Sequence, residues 1–477
     1  MDTAHGAASR QAALLAATLS SFLTPFMSSA INVALPSMAK ELHLGTVATG
    51  WVATTYLLAT AIFLLPSGRV ADMTGRKRVF ATGLALFTLA TLACGLAPSV
   101  EVLLATRVVQ GLASAMIFST GLAILTLVYP PHDRGRAMGL NVAATYMGLS
   151  AGPYVGGLLV KYLGWRSVFF ATLPVGLVAL GVVLWKLHGE WAEARGERLD
   201  VPGSAFYSAA LLTGMAGLSL LPDRSGLLLL VVGGLGIATF IWWEGRTLCP
   251  LLDISLFRRN RVFAFSNLAA LINYSATAAV GYMLSVYLQT VRGLDAQRAG
   301  LVLVSQPVMM ALFSPLAGRL SDRIEPRVVA SIGMGLTATG LALLVLVGGS
   351  TPLAYVVACQ LVLGIGFAFF SSPNTNAIMG SVARRDYGIA SAALATMRLL
   401  GQMLSIGLAT LFLALTVGRG KVEPERYGLF VLALRVTFSL FTVLCAAGVF
   451  ASLARGALRP AQAGADCRTE PPPAAGD

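Results

Sequence analysis

Gly68-Arg69-Val70-Ala71-Asp72-Met73-Thr74-Gly75-Arg76-Lys77-Arg78 opens on glycine, places an acid four residues on and closes on three consecutive bases, between two long apolar runs. A fainter copy, Gly318-Arg319-Leu320-Ser321-Asp322-Arg323-Ile324-Glu325-Pro326-Arg327, stands about 250 residues further along, the mark of an internal repeat. The spacing predicts a tight polar reversal at each copy, because a residue without Cβ turns cheaply. Acid and bases then sit where hydrophobic helices emerge from lipid. One apolar span with its loop takes roughly 30 residues, so the offset holds about eight spans. An even number returns the copy to the same side of the membrane.

Composition points the same way. With 477 residues, a mean hydropathy of +0.76 and 12% charged residues, the chain is not a soluble globule. About 14 apolar runs of roughly 18 to 25 residues can be marked, each long enough for about 30 Å of hydrocarbon. The net charge of +13 does not indicate nucleic acid, since the bases are scattered over short loops and form no aromatic-lined basic face. They follow topology. With the amino terminus inside, roughly 22 Lys and Arg fall in cytoplasmic segments, about 9 outside and about 3 within spans. The five cysteines, Cys94, Cys249, Cys359, Cys445 and Cys467, lie far apart without metal-ligand spacing and read as packing residues. The first apolar run lacks a charged flank and a cleavage site and reads as a retained span, not a signal peptide.

Four further patterns carry chemistry. The first span, about 12–35 after a short polar start, ends in Ser28-Ser29-Ala30-Ile31-Asn32-Val33-Ala34-Leu35-Pro36. Ser28, Ser29 and Asn32 form a polar stripe that faces either a cavity or a neighbouring helix. The second span opens with Trp51 and Tyr56. In the fourth, Arg107, Gln110, Gly111 and Ser114 share one helix face. A guanidinium at that depth needs a cavity or partner, or must snorkel to the outer interface. In the fifth, Gly148, Gly152 and Gly156 recur every four residues, with Pro153 and Gly157 beside them. This smooth stripe lets another helix approach closely, and Pro153 bends the helix next to it. Asn267, Asn273, Tyr274, Tyr282 and Tyr287, followed by Gln306-Pro307, suggest either a wetted substrate wall or interhelical hydrogen bonds. Arg398 lies early in its span, within snorkelling reach of the cytoplasm.

These motifs resemble the major facilitator superfamily. The Gly68–Arg78 stretch is similar to its loop between spans 2 and 3, whose Asp and Arg form a charge network that helps hold one conformation. Arg107-Val108-Val109-Gln110-Gly111 resembles its span-4 motif, whose Arg is associated with proton coupling. Gly148 to Gly157 matches its antiporter motif almost letter for letter, which favours export. Asn32 to Pro36 resembles the fourteen-span drug:proton antiporter branch, which carries an Asp where this chain has Met27. The resemblance covers nearly the whole chain up to its tail.

The expected fold is therefore an all-α membrane protein of 14 transmembrane helices, two pseudo-symmetric six-helix bundles plus a two-helix insert. Residues 1–187 form the first bundle. Residues 188–261 hold a charged linker, two extra spans at about 203–221 and 226–243, and a short amphipathic helix on the inner leaflet. Residues 262–454 form the second bundle, and 455–477 a disordered cytoplasmic tail. The expected conformational switch is Gly68, Asp72, Gly75, Arg76, Lys77 and Arg78, echoed by Gly318 and Asp322. Coupling and cavity residues are Arg107, Gln110, Ser28, Ser29, Asn32, Tyr56, Asn273, Tyr274 and Gln306.

The expected function is secondary export of amphiphilic small molecules by alternating access, through proton antiport, in a prokaryotic plasma membrane with both termini cytoplasmic. A monomer is the expected working unit, with lipid and substrate as its partners. No ATP-binding loop, nucleophile–base pairing or mid-span acid is present, and all four His lie in loops or at span ends. The chain is thus expected to be no enzyme and to use no metal or cofactor beyond the proton gradient. Two other classes stay open: an uptake carrier for an anionic or nutrient substrate with Arg107 as its clamp, and a non-transporting membrane sensor or assembly factor.

Overall fold

The computed structural model describes residues 2–42, 46–221, 223–247, 250–252, 254–294, 296–418 and 424–456. Among them the chain runs as helix after helix and contains no strand: α1 (Asp2–Glu41), α2 (Thr46–Thr74), α3 (Arg76–Gly95), α4 (Val100–Val128), α5 (Pro131–Leu163), α6 (Arg166–Lys186), α7 (Val201–Leu220), α8 (Arg224–Glu244), the short α9 (Ile254–Arg259), α10 (Arg261–Val286), α11 (Ala296–Arg323), α12 (Pro326–Val345), α13 (Leu353–Gly380), α14 (Tyr387–Thr416) and α15 (Tyr427–Ala454). Helix is what a bilayer demands, because it satisfies every backbone polar group within the segment. Among the described residues twelve helices are long and apolar enough to cross a membrane. The other two long ones, α5 and α7, dilute their apolar residues with Gly, Ser, Thr and Tyr.

The packing repeats itself. α1 lies against α5 and α6, α2 and α3 against α4, and α3 against α6. In the same order α10 lies against α14 and α15, α11 and α12 against α13, and α12 against α15. The two sets meet along two edges, α5 on α11 and α14 on α2, which the correspondence exchanges. α7 and α8 pack on each other, and α7 leans on both α2 and α14. The Tyr207 hydroxyl of α7 donates to the Ala61 carbonyl of α2 at 3.0 Å and lies 3.1 Å from Thr396 Oγ1 of α14.

At one end of the first set, Glu41 accepts from Trp165 Nε1 at 2.7 Å and pairs with Arg166, tying α1 to α6. The Arg166 guanidinium holds the Glu41 carboxyl below the usual carboxylate range. The tie is therefore intact at neutral pH and is lost only as the pH falls through that lowered value.

Two expectations are corrected here. The reversal read from Gly68 to Arg78 is mostly helix: α2 runs to Thr74 and α3 begins at Arg76. Only Gly75 breaks it, at φ 125°, a left-handed conformation that favours glycine. Arg455, assigned to a disordered tail, is 1% exposed and donates to Ser266 Oγ, Asn374 Oδ1 and the Pro326 carbonyl at 3.1, 2.8 and 3.0 Å. The remainder of the tail, His43, Cys249 and Cys467 lie outside the described residues. Cys94, Cys359 and Cys445 are free and buried, packing residues as read.

Candidate functional site

The two acids of the repeated motif do the same thing on opposite edges. Asp72, near the end of α2, is fully buried and accepts from the backbone N–H of Gly388 and of Ile389, both at 3.1 Å, in the first turn of α14. Asp322, near the end of α11, accepts from the N–H of Gly135 at 2.7 Å and Arg136 at 2.9 Å, in the first turns of α5. A helix start has unpaired N–H groups and a positive dipole end, so a carboxylate from the other bundle is a strong cap. Each edge carries one such cap, and both lie at the same end of the molecule.

Glycine makes the approach possible. A Cβ built on Gly68 would meet the Gly388 carbonyl oxygen at 2.8 Å, and one on Gly388 would meet the Gly68 carbonyl oxygen at 2.7 Å. Gly318 and Gly135 stand in the same reciprocal contact, each against the other's carbonyl. Gly68 and Gly318 therefore serve close packing between bundles, not the turn expected of them.

The Asp72 side is reinforced. Arg76, fully buried, donates through Nε to Asp72 Oδ1 at 2.8 Å and through Nη2 to the carbonyls of Arg384 at 2.5 Å and Arg385 at 3.1 Å. The charged linker closes over it: Trp191 accepts from the Arg76 N–H at 2.9 Å, and Ala194 donates to the Asp72 carbonyl at 3.0 Å. Glu190 accepts from the Lys77 N–H at 3.0 Å and lies 3.6 Å from Arg78, while Glu197 pairs with Arg69. The sequence reading missed these linker acids and the α5 and α14 starts. A signal existed: Asp133-Arg134-Gly135 and Asp386-Tyr387-Gly388 are themselves about 250 residues apart, the same offset as the motif pair.

The glycine stripe of α5 faces α1. A Cβ on Gly148 would fall on the Phe22 carbonyl, one on Gly152 on Ser29 Oγ, and one on Gly156 would meet Ala30 Cβ at 2.8 Å. Gly157 is different, with Val33 Cγ1 at 3.8 Å as its nearest neighbour. Pro153 lies inside the helix and is exposed. Asn141 continues the seam, donating to the Ala17 carbonyl at 3.0 Å and Ser21 Oγ at 2.8 Å.

Arg107 is neither snorkelling nor open to a cavity. It is 1% exposed, donates through Nε to the Val52 carbonyl at 3.1 Å and through Nη1 to Gln110 Oε1 at 2.6 Å, and lies 4.6 Å from the Tyr56 ring centroid. Gln110 donates onward to Thr91 at 2.7 Å, and the Tyr56 hydroxyl lies 2.7 Å from Ser114 Oγ. The expected cavity group thus divides. Arg107, Gln110, Tyr56 and Ser29 are packed inside the first set. Ser28 is half-buried and Asn32 exposed on another face of α1. Gln306 is half-buried, its carbonyl close to Gly364. Asn273 is fully buried with neither end of its amide partnered.

Tyr274 alone of the group reaches across the bundles. Its hydroxyl lies 3.4 Å from that of Tyr146 on α5 and 3.5 Å from Ser371 Oγ on α13. Phe367 sets its edge against both tyrosine rings, at 5.6 and 5.2 Å. Arg398 points into this cluster and not toward the helix end, 5.7 Å from the Tyr274 ring and donating to Thr375 Oγ1 at 2.9 Å.

Comparison with known proteins decides the family. The family model described as Major Facilitator Superfamily matches residues 17–406 and again 266–466. The chain belongs to the major facilitator superfamily. It is a multi-pass membrane transporter of that superfamily and not an enzyme. It is 31% identical over 404 residues to the multidrug resistance protein Stp of Mycobacterium tuberculosis, covering 83% of this chain and 74% of that one. It is 24% identical over 431 residues to the riboflavin transporter RibZ of Clostridioides difficile, covering 90% and 93%. The solved human organic anion transporter MFSD10 superposes with a TM-score of 0.65 at 14% identity, over 94% of this chain and 99% of that one, a likeness of fold alone. The transporter thus has its repeated motif at the seam between its two halves and its glycine stripe within the first.

Proposed function

We propose that the transporter exports amphiphilic small molecules by alternating access, with 14 spans in two bundles (1–187 and 262–454) and the 188–261 segment as linker and two-span insert. The observation that carries this reading is the reciprocal pair of carboxylate caps, Asp72 on α14 and Asp322 on α5. They fasten the bundles at one end, by contacts between helix ends that could part without breaking either core. A static sensor or assembly factor has no need of two matched, separable caps. Uptake with Arg107 as substrate clamp is disfavoured by the enclosure of its guanidinium. Export is supported by the glycine–proline stripe on α1 and by the similarity to Stp.

The capped end is the cytoplasmic one in this reading, from the distribution of Lys and Arg, with the membrane being the plasma membrane and both termini inside. Reporter fusions within 222–226 are expected to report outside and fusions within 190–198 inside. The opposite result at either place removes the two-span insert from the membrane.

Coupling is proposed to be proton antiport without a mid-span acid. Met27, at the position where the resemblance to the fourteen-span branch implies an Asp, is fully buried. Among the described spans the acids Asp72, Glu101, Asp133, Glu244, Asp322 and Asp386 all stand near helix ends. Arg107 stays protonated in the working range and is no proton carrier. Acids at the span edges, or the substrate's own ionisable group, would carry the proton. Lack of an acid in mid-span to serve as counter-ion favours neutral or anionic amphiphiles. Proteoliposomes with an imposed pH gradient should export a weakly acidic dye and leave a permanently dicationic dye inside. Gradient-driven export of the dication alone would show the reading of Met27 to be wrong.

A further inference from the structure

Arg398 is the twelfth residue of α14, about 16 Å along the axis from the helix start at 1.5 Å per residue. At that depth a cation needs a counter-charge, and its own ion pairs are absent among the described residues. Arg76 has Asp72 and Arg69 has Glu197. Arg107 has no acid either, but its donors are occupied by Val52, Gln110 and the face of Tyr56. Among the described residues Arg398 donates one hydrogen bond, to Thr375, and its Nε is buried with no partner.

The surroundings suit a ligand with a charged head and an apolar body. The Tyr274 ring lies beside the guanidinium with Phe367 and Tyr146 packed behind it, and the Tyr274 hydroxyl stands 3.4 Å from that of Tyr146 and 3.5 Å from Ser371 Oγ. The cluster draws Tyr146 from the first bundle and the rest from the second, so a ligand held there would contact both halves that must move. A guanidinium fits a carboxylate with two parallel donors, and Arg398 is half-buried with its Nε enclosed and unpartnered, so an arriving anion would supply the missing counter-charge.

We propose that Arg398, with Thr375, Tyr274 and Tyr146, is the binding site for the carboxylate of an anionic amphiphile carried by this transporter. The site deepens the export reading by naming the substrate class, and it assigns the anion to Arg398 instead of Arg107.

The test uses the purified full chain in detergent, with a carboxylated aromatic fluorophore and its neutral carboxamide as probes, followed by fluorescence anisotropy. The wild-type chain should bind the carboxylate at least about tenfold more tightly than the amide. In Arg398→Gln the ratio should fall to about one, whereas Arg398→Lys, which keeps the charge, should retain a preference. Should Arg398→Gln fail to fold, Tyr146→Cys keeps the proposal testable with Arg398 intact. The carboxylate should then protect that cysteine from a maleimide at about a tenth of the amide concentration. A wild-type chain that binds the two probes equally, or neither, overturns the proposal, as does an undiminished preference in Arg398→Gln. Binding is read without transport, so loss of the Arg398 effect with normal export removes the site alone. An Arg398-dependent preference in a chain that exports nothing removes the export reading alone.

Discussion

Gly152→Leu is expected to abolish export. The Cβ alone would fall on Ser29 Oγ, with the Ala30 backbone nitrogen at 3.0 Å, so the leucine must push α5 off α1 or twist both. Overpacking a tight seam costs about 1–3 kcal/mol or more, and the seam has little to give, with Phe22 and Ala30 pressed on Gly148 and Gly156. Gly157→Ala is the control, because its nearest neighbour at 3.8 Å leaves room for a methyl group. Dye efflux from cells expressing each variant at matched levels separates the two. Full efflux by a folded Gly152→Leu protein would reduce the stripe to ordinary packing.

Asp72→Asn is expected to slow transport strongly while leaving expression intact. The amide keeps the shape but loses the charge that caps α14 and balances Arg76. Charged hydrogen bonds are worth about 1.5–3 kcal/mol each, and an unpaired buried guanidinium adds to that cost. A shift of about 2 kcal/mol moves a two-state balance about thirtyfold. Asp322→Asn should do less, since Asp322 is only half-buried whereas Asp72 is fully buried. Its effect should nevertheless be clear, because it caps α5 through two N–H groups. Ser391→Cys supplies a readout, being fully buried at the seam with its hydroxyl on the Phe118 carbonyl. It should resist a maleimide in the wild-type background and react in the Asp72→Asn background. Equal, negligible effects on transport at both aspartates would remove the caps from the mechanism.

Much of this was legible in the residues. The motif pair, the stripe and the linker were all visible because each is a local pattern, read from spacing along one helix. The extra helices came close to their expected bounds, at Val201–Leu220 and Arg224–Glu244. What spacing could not give is the partner on another helix. Gly68 looked like a turn residue, and only the position of Gly388 reveals it as a contact between backbones. Arg107 and Arg398 are both single arginines in apolar runs, and nothing local distinguishes the enclosed one from the one facing the seam. The distinction lies in Val52, Gln110 and Tyr56 on one side and in Tyr146, Tyr274 and Thr375 on the other. Five of these six lie on a different helix from the arginine they surround, Gln110 being the exception.

The most direct measurement places spin labels at Arg78→Cys and Arg385→Cys, exposed side chains (73% and 71%) on either side of the capped edge, and records their distance distribution in lipid. The wild-type chain should give a dominant short distance, the fastened end. Asp72→Asn combined with Asp322→Asn should transfer most of that population to a longer distance. One unchanged distance in both proteins, with the aspartate variants inactive, would contradict the role of the carboxylates in setting which end is closed.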